Sequence, residues 1–486
     1  MLTPYEFSRL ALRHGTVATI SDPHEIANIL GVPGVEYMIA NAALTPLKFH
    51  FGAPSCVPAT SFETSGATID ATQIAELMAS DDIWYLAEVM NYPGVLAKDP
   101  EVMAKIAAAQ AVGKPVDGHA PGLRGEAAGR YIAAGISTDH ECFTLEEALD
   151  KLGFGMKILI REGSAAKNFE ALHPLIGTHP AELMFCSDDK HPDDLLVSHL
   201  DALVRRSLTL GYDLFDVLAI ACIHPVEHYG MEVGLLQPGD PADFIVVDHP
   251  DTMQVQKTVI AGECVYDGKE TFLSSRSHPT PNNFSTSRKS PADFRVAGDG
   301  KDFPVIQALD GQLITNRVNV DLPVEDGALQ SDPGQDALKI AVINRYQEAP
   351  VAVGFIRGYG LQGGALASTV AHDSHNLIVV GVDDESICRA VNLLVDCKGG
   401  LSAVNGTEEH VIPLPIAGIM SDKSGEKIGK AYEEIDAFVR AMGCGLKAPY
   451  MTLSFMALLV IPSIKMSDKG LFDAEAFQFI YQPDQA

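Results

Sequence analysis

The feature that most constrains the fold is a repeated alternation of short β-rich runs and longer helical stretches between Gly15 and Asp189. The helical stretches, such as Pro100 to Gln110, carry apolar residues three or four positions apart. A strand followed by a helix, repeated, predicts parallel strands with crossover helices. The predicted strands are Thr16–Ser21, Lys48–Pro54, Ile83–Met90, Pro115–His119, Ile136–His140, Met156–Arg161 and Leu183–Cys186.

These seven strands are one short of a (β/α)8 barrel, in which closure leaves no unpaired sheet edge. The chain opens with a predicted helix, Leu2 to Arg13, for which Thr3 is the cap and Pro4 the first helical residue. In such a barrel each helix follows a strand, but no strand precedes this first helix. The last predicted strand is already followed by its helix, so the missing strand is the first and not the eighth. We therefore predict an α/β fold with a TIM-type barrel over residues 1–232 that lacks strand one.

Beyond the barrel, residues 233–272 are predicted to form a small β-sandwich segment. Residues 273–302 are rich in Ser, Pro, Asn and Thr and predict an exposed linker. Residues 303–486 are predicted to form an α+β C-terminal domain with its own strands.

The net charge of −29 argues against nucleic acid or an anionic membrane as a partner and is compatible with a small-molecule substrate. No apolar run is long enough for a membrane span, and no signal peptide is visible. The eight cysteines are scattered without CxxC pairs, which favours reduced thiols and a cytoplasmic location.

Ligand-type residues concentrate where the predicted strands end, which is the active-site rim of such barrels. The set comprises His24, Glu88, His119, His140 and Asp188. Glu88 is the least ordinary, because a carboxylate within an apolar strand is costly unless it is paired or binds a metal. Imidazole and carboxylate without thiolate suit Zn, Mn or Fe(II). Such an ion would activate water, and Asp188 could carry its proton to a leaving group.

Several strings together resemble the adenine deaminase family of the amidohydrolase superfamily. They include Asp22-Pro-His-Glu-Ile-Ala-Asn28, Pro54-Ser-Cys-Val-Pro-Ala-Thr60, Ala87-Glu-Val-Met-Asn91, Gly118-His-Ala-Pro121, Thr138-Asp-His-Glu141, Arg161-Glu-Gly-Ser164, Ser187-Asp-Asp189 and Ala371-His-Asp-Ser-His-Asn376. The resemblance covers nearly the whole chain, including the C-terminal domain.

The resemblance implies hydrolytic deamination of adenine to hypoxanthine and ammonia, in purine salvage, at a site with two manganese or iron ions. By similarity, Glu88 bridges the ions, His119 and His140 complete one site, and Asp188 binds the other ion and acts as general base. A homodimer is a further possibility that this resemblance leaves open.

Six residues are weaker candidates for substrate binding: His24, Arg161, Glu162, His372, Asp373 and His375. For Arg161 and Glu162 a salt bridge is an equal alternative. For the His372 to Asn376 string, the alternatives are loop capping or a domain or subunit interface.

Two departures from the family pattern matter. The family carries a His-x-His pair just before the string that begins here at Met1, so we expect the chain as written to be a fragment with low ammonia release. Tyr346 stands where the family usually has His. Two other functions stay open. One is an amidohydrolase for another purine or a cyclic amide, because the rim residues alone do not name a substrate. The other is a non-catalytic homologue that binds metal or purine.

Overall fold

The computed structural model describes residues 1–164 and 166–482, so the last four residues of the predicted C-terminal domain lie outside it. In the N-terminal half, short strands alternate with helices. The strands are β1 (Ala18–Ser21), β2 (Lys48–Ala53), β3 (Ile83–Val89), β4 (Val116–Gly118), β5 (Thr138–Asp139), β6 (Lys157–Arg161) and β7 (Leu183–Cys186).

Several helices around these strands begin beside a residue whose side chain caps the first turn. The Thr3 hydroxyl accepts a hydrogen bond from the Glu6 N–H, and Asp70 and Gln73 form a capping box. The helices are α1 (Pro4–Ala11), α2 (His24–Leu30), α3 (Val32–Ala42), α4 (Ala71–Met78), α5 (Tyr92–Ala97), α6 (Pro100–Ala111), α7 (Gly125–Ala133), α8 (Leu145–Gly153), α9 (Phe169–Leu172), α10 (Pro192–Val197), α11 (Leu200–Thr209), α12 (Leu214–Leu218) and α13 (His224–Tyr229).

The strands pair in parallel and in chain order, β1 to β4 in one sheet and β5 to β7 in a second. Apolar side chains from both sheets and from the surrounding helices form one continuous core. Within the described residues, no strand ladder joins β4 to β5 or β7 to β1. The predicted α/β class of barrel type is confirmed, with the strands divided between two sheets.

After the barrel, β8 (Phe244–Val247), β9 (Val255–Ile260) and β10 (Glu263–Tyr266) form an antiparallel sheet. Ile260 and Val265 bury this sheet against Ala11 and Leu12 near the end of α1. The predicted β segment of residues 233–272 thus contains a single three-stranded sheet among its described residues.

Most of the segment 273–302 is exposed, as its composition predicts, but it is anchored by a few buried residues. His278 and Thr286 are buried, and the Nδ1 atom of His278 lies 2.9 Å from the side-chain nitrogen of Asn41 on α3. Farther on, the Ser285 N–H donates to the Arg345 carbonyl at 2.8 Å. The segment is therefore an extended strap that is bonded to both the barrel and the C-terminal domain.

The C-terminal domain is built on a mixed sheet with the order β12-β11-β16-β15-β18-β17-β19-β20, antiparallel except between β11 and β16. Its strands are β11 (Phe303–Ala308), β12 (Thr315–Val320), β13 (Val324–Glu325), β14 (Ala328–Leu329), β15 (Leu338–Ile343), β16 (Ala352–Arg357), β17 (Ala365–Ser368), β18 (Leu377–Gly381), β19 (Gly400–Asn405) and β20 (Glu408–Pro413). A meander of β21 (Ile464–Ser467), β22 (Gly470–Asp473) and β23 (Gln478–Tyr481) follows.

Helices cover both faces of the mixed sheet and bury two apolar layers. Helix α14 (Asp384–Cys397) packs in one layer, and α15 (Gly425–Ala441) and α16 (Pro449–Phe455) pack in the other. No helix in the described part of the chain combines the length and apolar character of a bilayer-spanning segment.

The C-terminal domain docks on the loop that follows β2. The Asn376 side chain donates to the Thr64 carbonyl at 2.8 Å, and the Thr64 N–H donates to the Asp468 carboxylate at 2.9 Å. The Ser467 hydroxyl donates to the Phe62 carbonyl at 3.0 Å. These bonds place the loop between β17 and β18 beside the carboxyl ends of the barrel strands.

Candidate metal centre

Three neighbouring strands bring Glu88, His119 and His140 together, and we call these residues the rim cluster. Glu88 is the penultimate residue of β3, His119 follows β4, and His140 follows β5. The Oε2 atom of Glu88 lies 2.8 Å from His119 Nδ1 and 3.1 Å from His140 Nε2. One donor atom from each side chain lies within 4.8 Å of the other two, as a shared metal ion requires.

The charges of the rim cluster shift one another's pKa values strongly. Burial opposes ionisation of Glu88, but His119 and His140 outweigh it and hold the pKa of Glu88 well below its usual value. Burial would also lower the pKa of His140, yet Glu88 and Glu141 raise that pKa to about 10. Without an ion, protons on the imidazoles balance the carboxylates, so these protons must leave when a cation binds.

Asp188 joins the rim cluster through Arg161. It follows β7, and its Oδ2 atom lies 2.5 Å from an Arg161 guanidinium nitrogen. The same guanidinium bonds Glu141, whose Oε1 atom lies 3.6 Å from His119 Nδ1 and 3.5 Å from His140 Nε2. Among the described residues the ion pair of Asp188 is with Arg161, so the carboxylate borders the cluster without touching its imidazoles.

The residues of the rim cluster fit a divalent transition ion. Two imidazole nitrogens approach the same Glu88 oxygen, and the Nε2 atom of His119 is buried without a hydrogen-bond partner. Imidazole and carboxylate donors are the set that manganese, iron and zinc accept in proteins.

A second group lies where the C-terminal domain meets the barrel, and we call its members His24, Glu25, His372 and Asp373 the seam cluster. Glu25 Oε1 lies 2.5 Å from His372 Nδ1 and 3.2 Å from His24 Nε2. Asp373 Oδ1 lies 4.0 Å from the same His24 nitrogen and 3.9 Å from the same His372 nitrogen. The two clusters adjoin, since His24 Nδ1 is 3.6 Å from Glu88 Oε1.

The other predicted substrate residues are engaged by neighbours. His375 accepts a hydrogen bond from the Ala371 N–H through Nδ1 and contacts Glu25 through Nε2. Glu162 pairs with Arg206 of α11 at 3.0 Å, and no ion pair links it to either cluster within residues 1–164 and 166–482. Tyr346, which replaces the histidine of the family pattern, donates its hydroxyl to the Ser374 carbonyl.

Four carboxylates of the site were absent from the candidate residues chosen from the sequence: Asp22, Glu25, Glu141 and Asp189. Three of them adjoin a chosen residue and Asp22 is separated from His24 by one residue, so their position at strand ends was the available signal. Phe455 was also missed; its ring stacks on His372 with centroids 4.5 Å apart. Nothing in the local sequence links Phe455 to a residue more than eighty positions away.

Comparison with known proteins gives two family matches that together span most of the chain. Residues 1–265 match the amidohydrolase family, and residues 312–478 match the adenine deaminase C-terminal domain. The chain is 56% identical to an adenine deaminase of Salinibacter ruber over 99% of this chain and 88% of that protein. It is also 56% identical to an adenine deaminase of a Sulfurovum species, over 99% of this chain and 89% of that protein. Among solved structures, it is similar to a β-aspartyl dipeptidase of Fervidobacterium islandicum AW-1, with a TM-score of 0.42 and 16% identity over 55% of this chain and 77% of that one.

Proposed function

Because the chain belongs to the adenine deaminase family of the amidohydrolases, we propose that it hydrolyses adenine to hypoxanthine and ammonia. The observation that carries the proposal is the rim cluster, a group of imidazole and carboxylate donors at the strand ends of an amidohydrolase barrel. The similarity to adenine deaminases extends over both domains, which supports adenine as the substrate.

The amidohydrolase family depends on a metal, and in this chain Glu88, His119 and His140 would hold it, with Asp188 at the edge of the site. When bound, such an ion acts as a Lewis acid that makes water a stronger nucleophile at neutral pH. We propose manganese or iron as the ion, with zinc as a third candidate, because the donors are imidazole and carboxylate.

Asp188 is our candidate for the proton carrier. Burial disfavours its charge, but Arg161 and His140 outweigh burial and hold the pKa of Asp188 below its usual value. The carboxylate is therefore ionised at neutral pH and can accept a proton from the attacking water. The side chain is 30% exposed, so it can then pass that proton to the leaving amino group. Arg161 fixes Asp188 Oδ2 and leaves Oδ1 for this transfer.

For the purine we propose contact with His24 and His372, which face the rim from the seam. The Nε2 atom of His372 has no hydrogen-bond partner, and the ring is held flat against Phe455. Asp373 lies beside both imidazoles, and His375 contacts Glu25, so we propose that these two residues hold the purine contacts in position. Arg161 serves instead to position Asp188, since its guanidinium is occupied by two carboxylates.

We further propose that the reaction takes place in the cytoplasm and serves purine salvage. All eight cysteines are free, as expected of thiols in a reducing compartment.

The test is a product assay with the protein expressed together with any coding sequence that precedes Met1 in its gene. After loading with Mn²⁺ or Fe²⁺, adenine should yield hypoxanthine and ammonia in equal amounts, and a chelator should stop the release. Parallel reactions with a different aminopurine and with a cyclic amide test the alternative substrates. Ring opening of the amide without ammonia from adenine would refute the proposal.

A further inference from the structure

We propose that two hydroxyls, those of Ser55 and Tyr131, are positioning groups for the metal ion of the rim cluster. Both act through the backbone at Glu88 rather than as ligands. Their role rests on the metal site of the proposed function, but it does not require adenine as the substrate.

Glu88 lies in a bulge of β3. Leu86 pairs with Val116 and Val89 pairs with Gly118, so three steps along β3 match two steps along β4. An extra residue of this kind re-aims side chains, and such bulges are frequent beside active sites.

The bulge decides where the Glu88 carboxylate points. In a regular strand alternate residues face the same side, so Glu88 would share the side of Leu86. Instead, Leu86 and Val89 pack together in the main core of the barrel, whereas Tyr85 and Ala87 pack in a separate cluster. The extra residue therefore places Val89 in the core and leaves Glu88 free to face the imidazoles of the rim cluster.

Two side-chain hydroxyls bond the backbone of this bulge. The Ser55 hydroxyl, in the loop after β2, donates to the Glu88 carbonyl at 2.5 Å. The Tyr131 hydroxyl, on α7, donates to the Val89 carbonyl at 2.6 Å and accepts a hydrogen bond from the His119 N–H at 3.0 Å. Two consecutive carbonyls of β3 are thus held by two different elements, and Tyr131 also joins β3 to the residue that carries the next metal ligand.

The space between the two strand ends fits the Tyr131 hydroxyl closely. A β-carbon at Gly118 would lie 3.0 Å from the Tyr131 oxygen and 2.4 Å from the Thr138 carbonyl oxygen. Tyr131 is completely buried, so bulk water cannot take the place of its hydroxyl. The hydroxyl reaches both strands because residue 118 has no side chain.

These bonds set the relative position of two metal ligands. Glu88 Oε2 lies 2.8 Å from His119 Nδ1, and the Tyr131 hydroxyl joins the backbones of the strands that carry these two side chains. Removal of a group that holds a metal ligand in place typically lowers metal affinity by about 10- to 100-fold.

The experiment is the variant Tyr131→Phe, which removes only the hydroxyl. The protein is expressed with any coding sequence that precedes Met1, stripped of metal and titrated with Mn²⁺. The Kd of the rim ion should rise by about 10- to 100-fold. The electron paramagnetic resonance spectrum of the bound Mn²⁺ should also change, because the ligands take new positions. An unchanged Kd would overturn the proposal.

The matched control is Tyr450→Phe. Tyr450 is 2% exposed and donates its hydroxyl to the Ser402 carbonyl at 2.8 Å, within the C-terminal domain. Both variants lose a buried hydrogen bond to a carbonyl, so the melting temperature should fall in both. Only Tyr131→Phe should alter the Kd and the spectrum of Mn²⁺. An equal rise of the Kd in both variants would show a general loss of stability and would refute the positioning role.

Ser55→Ala decides the matter if Tyr131→Phe does not fold. It releases the same bulge from the other side and should also raise the Kd for Mn²⁺, so an unchanged Kd in this variant would count against the proposal. Mn²⁺ binding is measured without adenine. A parent protein that binds Mn²⁺ but releases no ammonia from adenine would therefore refute the proposed reaction and leave the positioning role standing.

Discussion

Two groups of buried charges lie side by side in this barrel and are built in opposite ways. In the lysine cluster (Asp139, Glu147 and Lys151), the ammonium donates to both carboxylates at 2.6 and 2.7 Å and to the Ala120 carbonyl at 2.7 Å. These side chains are almost completely buried, and all three ammonium protons are used. In the rim cluster, two imidazoles share one carboxylate oxygen, and a buried ring nitrogen has no partner.

The difference separates structural charge from functional charge. Asp139, Cys142 and Glu147 are also close enough to share an ion, but Lys151 already supplies the positive charge there. The carboxylates of the lysine cluster also accept backbone N–H groups, from Glu141 to Asp139 and from Gly122 to Glu147. A cluster in which every charge is paired serves to hold the backbone of neighbouring loops in place. A cluster in which a buried nitrogen has no partner is suited to binding a ligand.

The largest expected effect is that of Glu88→Gln, which removes the charge shared by both imidazoles of the rim cluster. The variant should lose the rim ion and reduce adenine turnover to background, while its far-ultraviolet circular dichroism stays that of the parent. Elemental analysis and the ammonia assay measure the two losses. Full occupancy of the rim in this variant would show that Glu88 is not a ligand of the ion.

Asp188→Asn should leave the fold and the ion in place and lower kcat by about 10²- to 10⁴-fold, because only the proton carrier is removed. Glu162→Gln is the matched control. It removes a carboxylate of the neighbouring strand end that pairs with Arg206, and its kcat should stay within a few-fold of the parent. Equal rates for Asp188→Asn and the parent would refute the role of Asp188.

Lys151→Met should destabilise the barrel by about 3–5 kcal/mol, because it leaves two buried carboxylates without a positive charge beside them. Denaturant unfolding followed by circular dichroism measures the loss. The triple variant Lys151→Met with Asp139→Asn and Glu147→Gln should recover part of it, since no unpaired charge then remains. A variant that keeps its stability but loses its rim ion would contradict the structural role assigned to this cluster.

The last prediction is a pH dependence to which the rim cluster contributes. In the ion-free protein the pKa of His140 is raised to about 10 by Glu88 and Glu141 against the effect of burial. A raised pKa stabilises the folded state fully below the unfolded value near 6.5 and loses that contribution as pH rises towards 10. The melting temperature of chelated protein should therefore decline over this range.

The affinity of the rim for Mn²⁺ should change in the opposite direction, by up to about tenfold per pH unit for each proton displaced. Titrations at pH 7 and pH 8 measure the slope. An affinity that does not change with pH would show that binding displaces no proton from the imidazoles.

Much of this molecule follows from local sequence. The seven predicted strands lie where the structure has them, within two residues at each end, because a short β-rich run between helical stretches is a local pattern. Glu88, His119 and His140 were found for a related reason: parallel strands end on one rim, so residues at strand ends are brought together without further information.

Other features depend on distant packing. Composition alone predicts an exposed linker over residues 273–302, but it does not show that His278 within this segment is buried against α3. Arg161 and Glu162 are adjacent in sequence, but one bonds the active-site carboxylates and the other bonds Arg206. The direction of each side chain depends on the charged residues of the neighbouring strands and helices.

The sequence by itself therefore determined the order of strands and helices, the family, and the chemical type of the donors at the rim. Only the tertiary structure decided that Glu25 meets His372, 347 residues farther along the chain, and that the Oδ2 atom of Asp373 is buried there without a hydrogen-bond partner. The physical reason is that strand order and strand ends follow from neighbours along the chain. The partner of a buried charge depends instead on how two separately folded surfaces fit together.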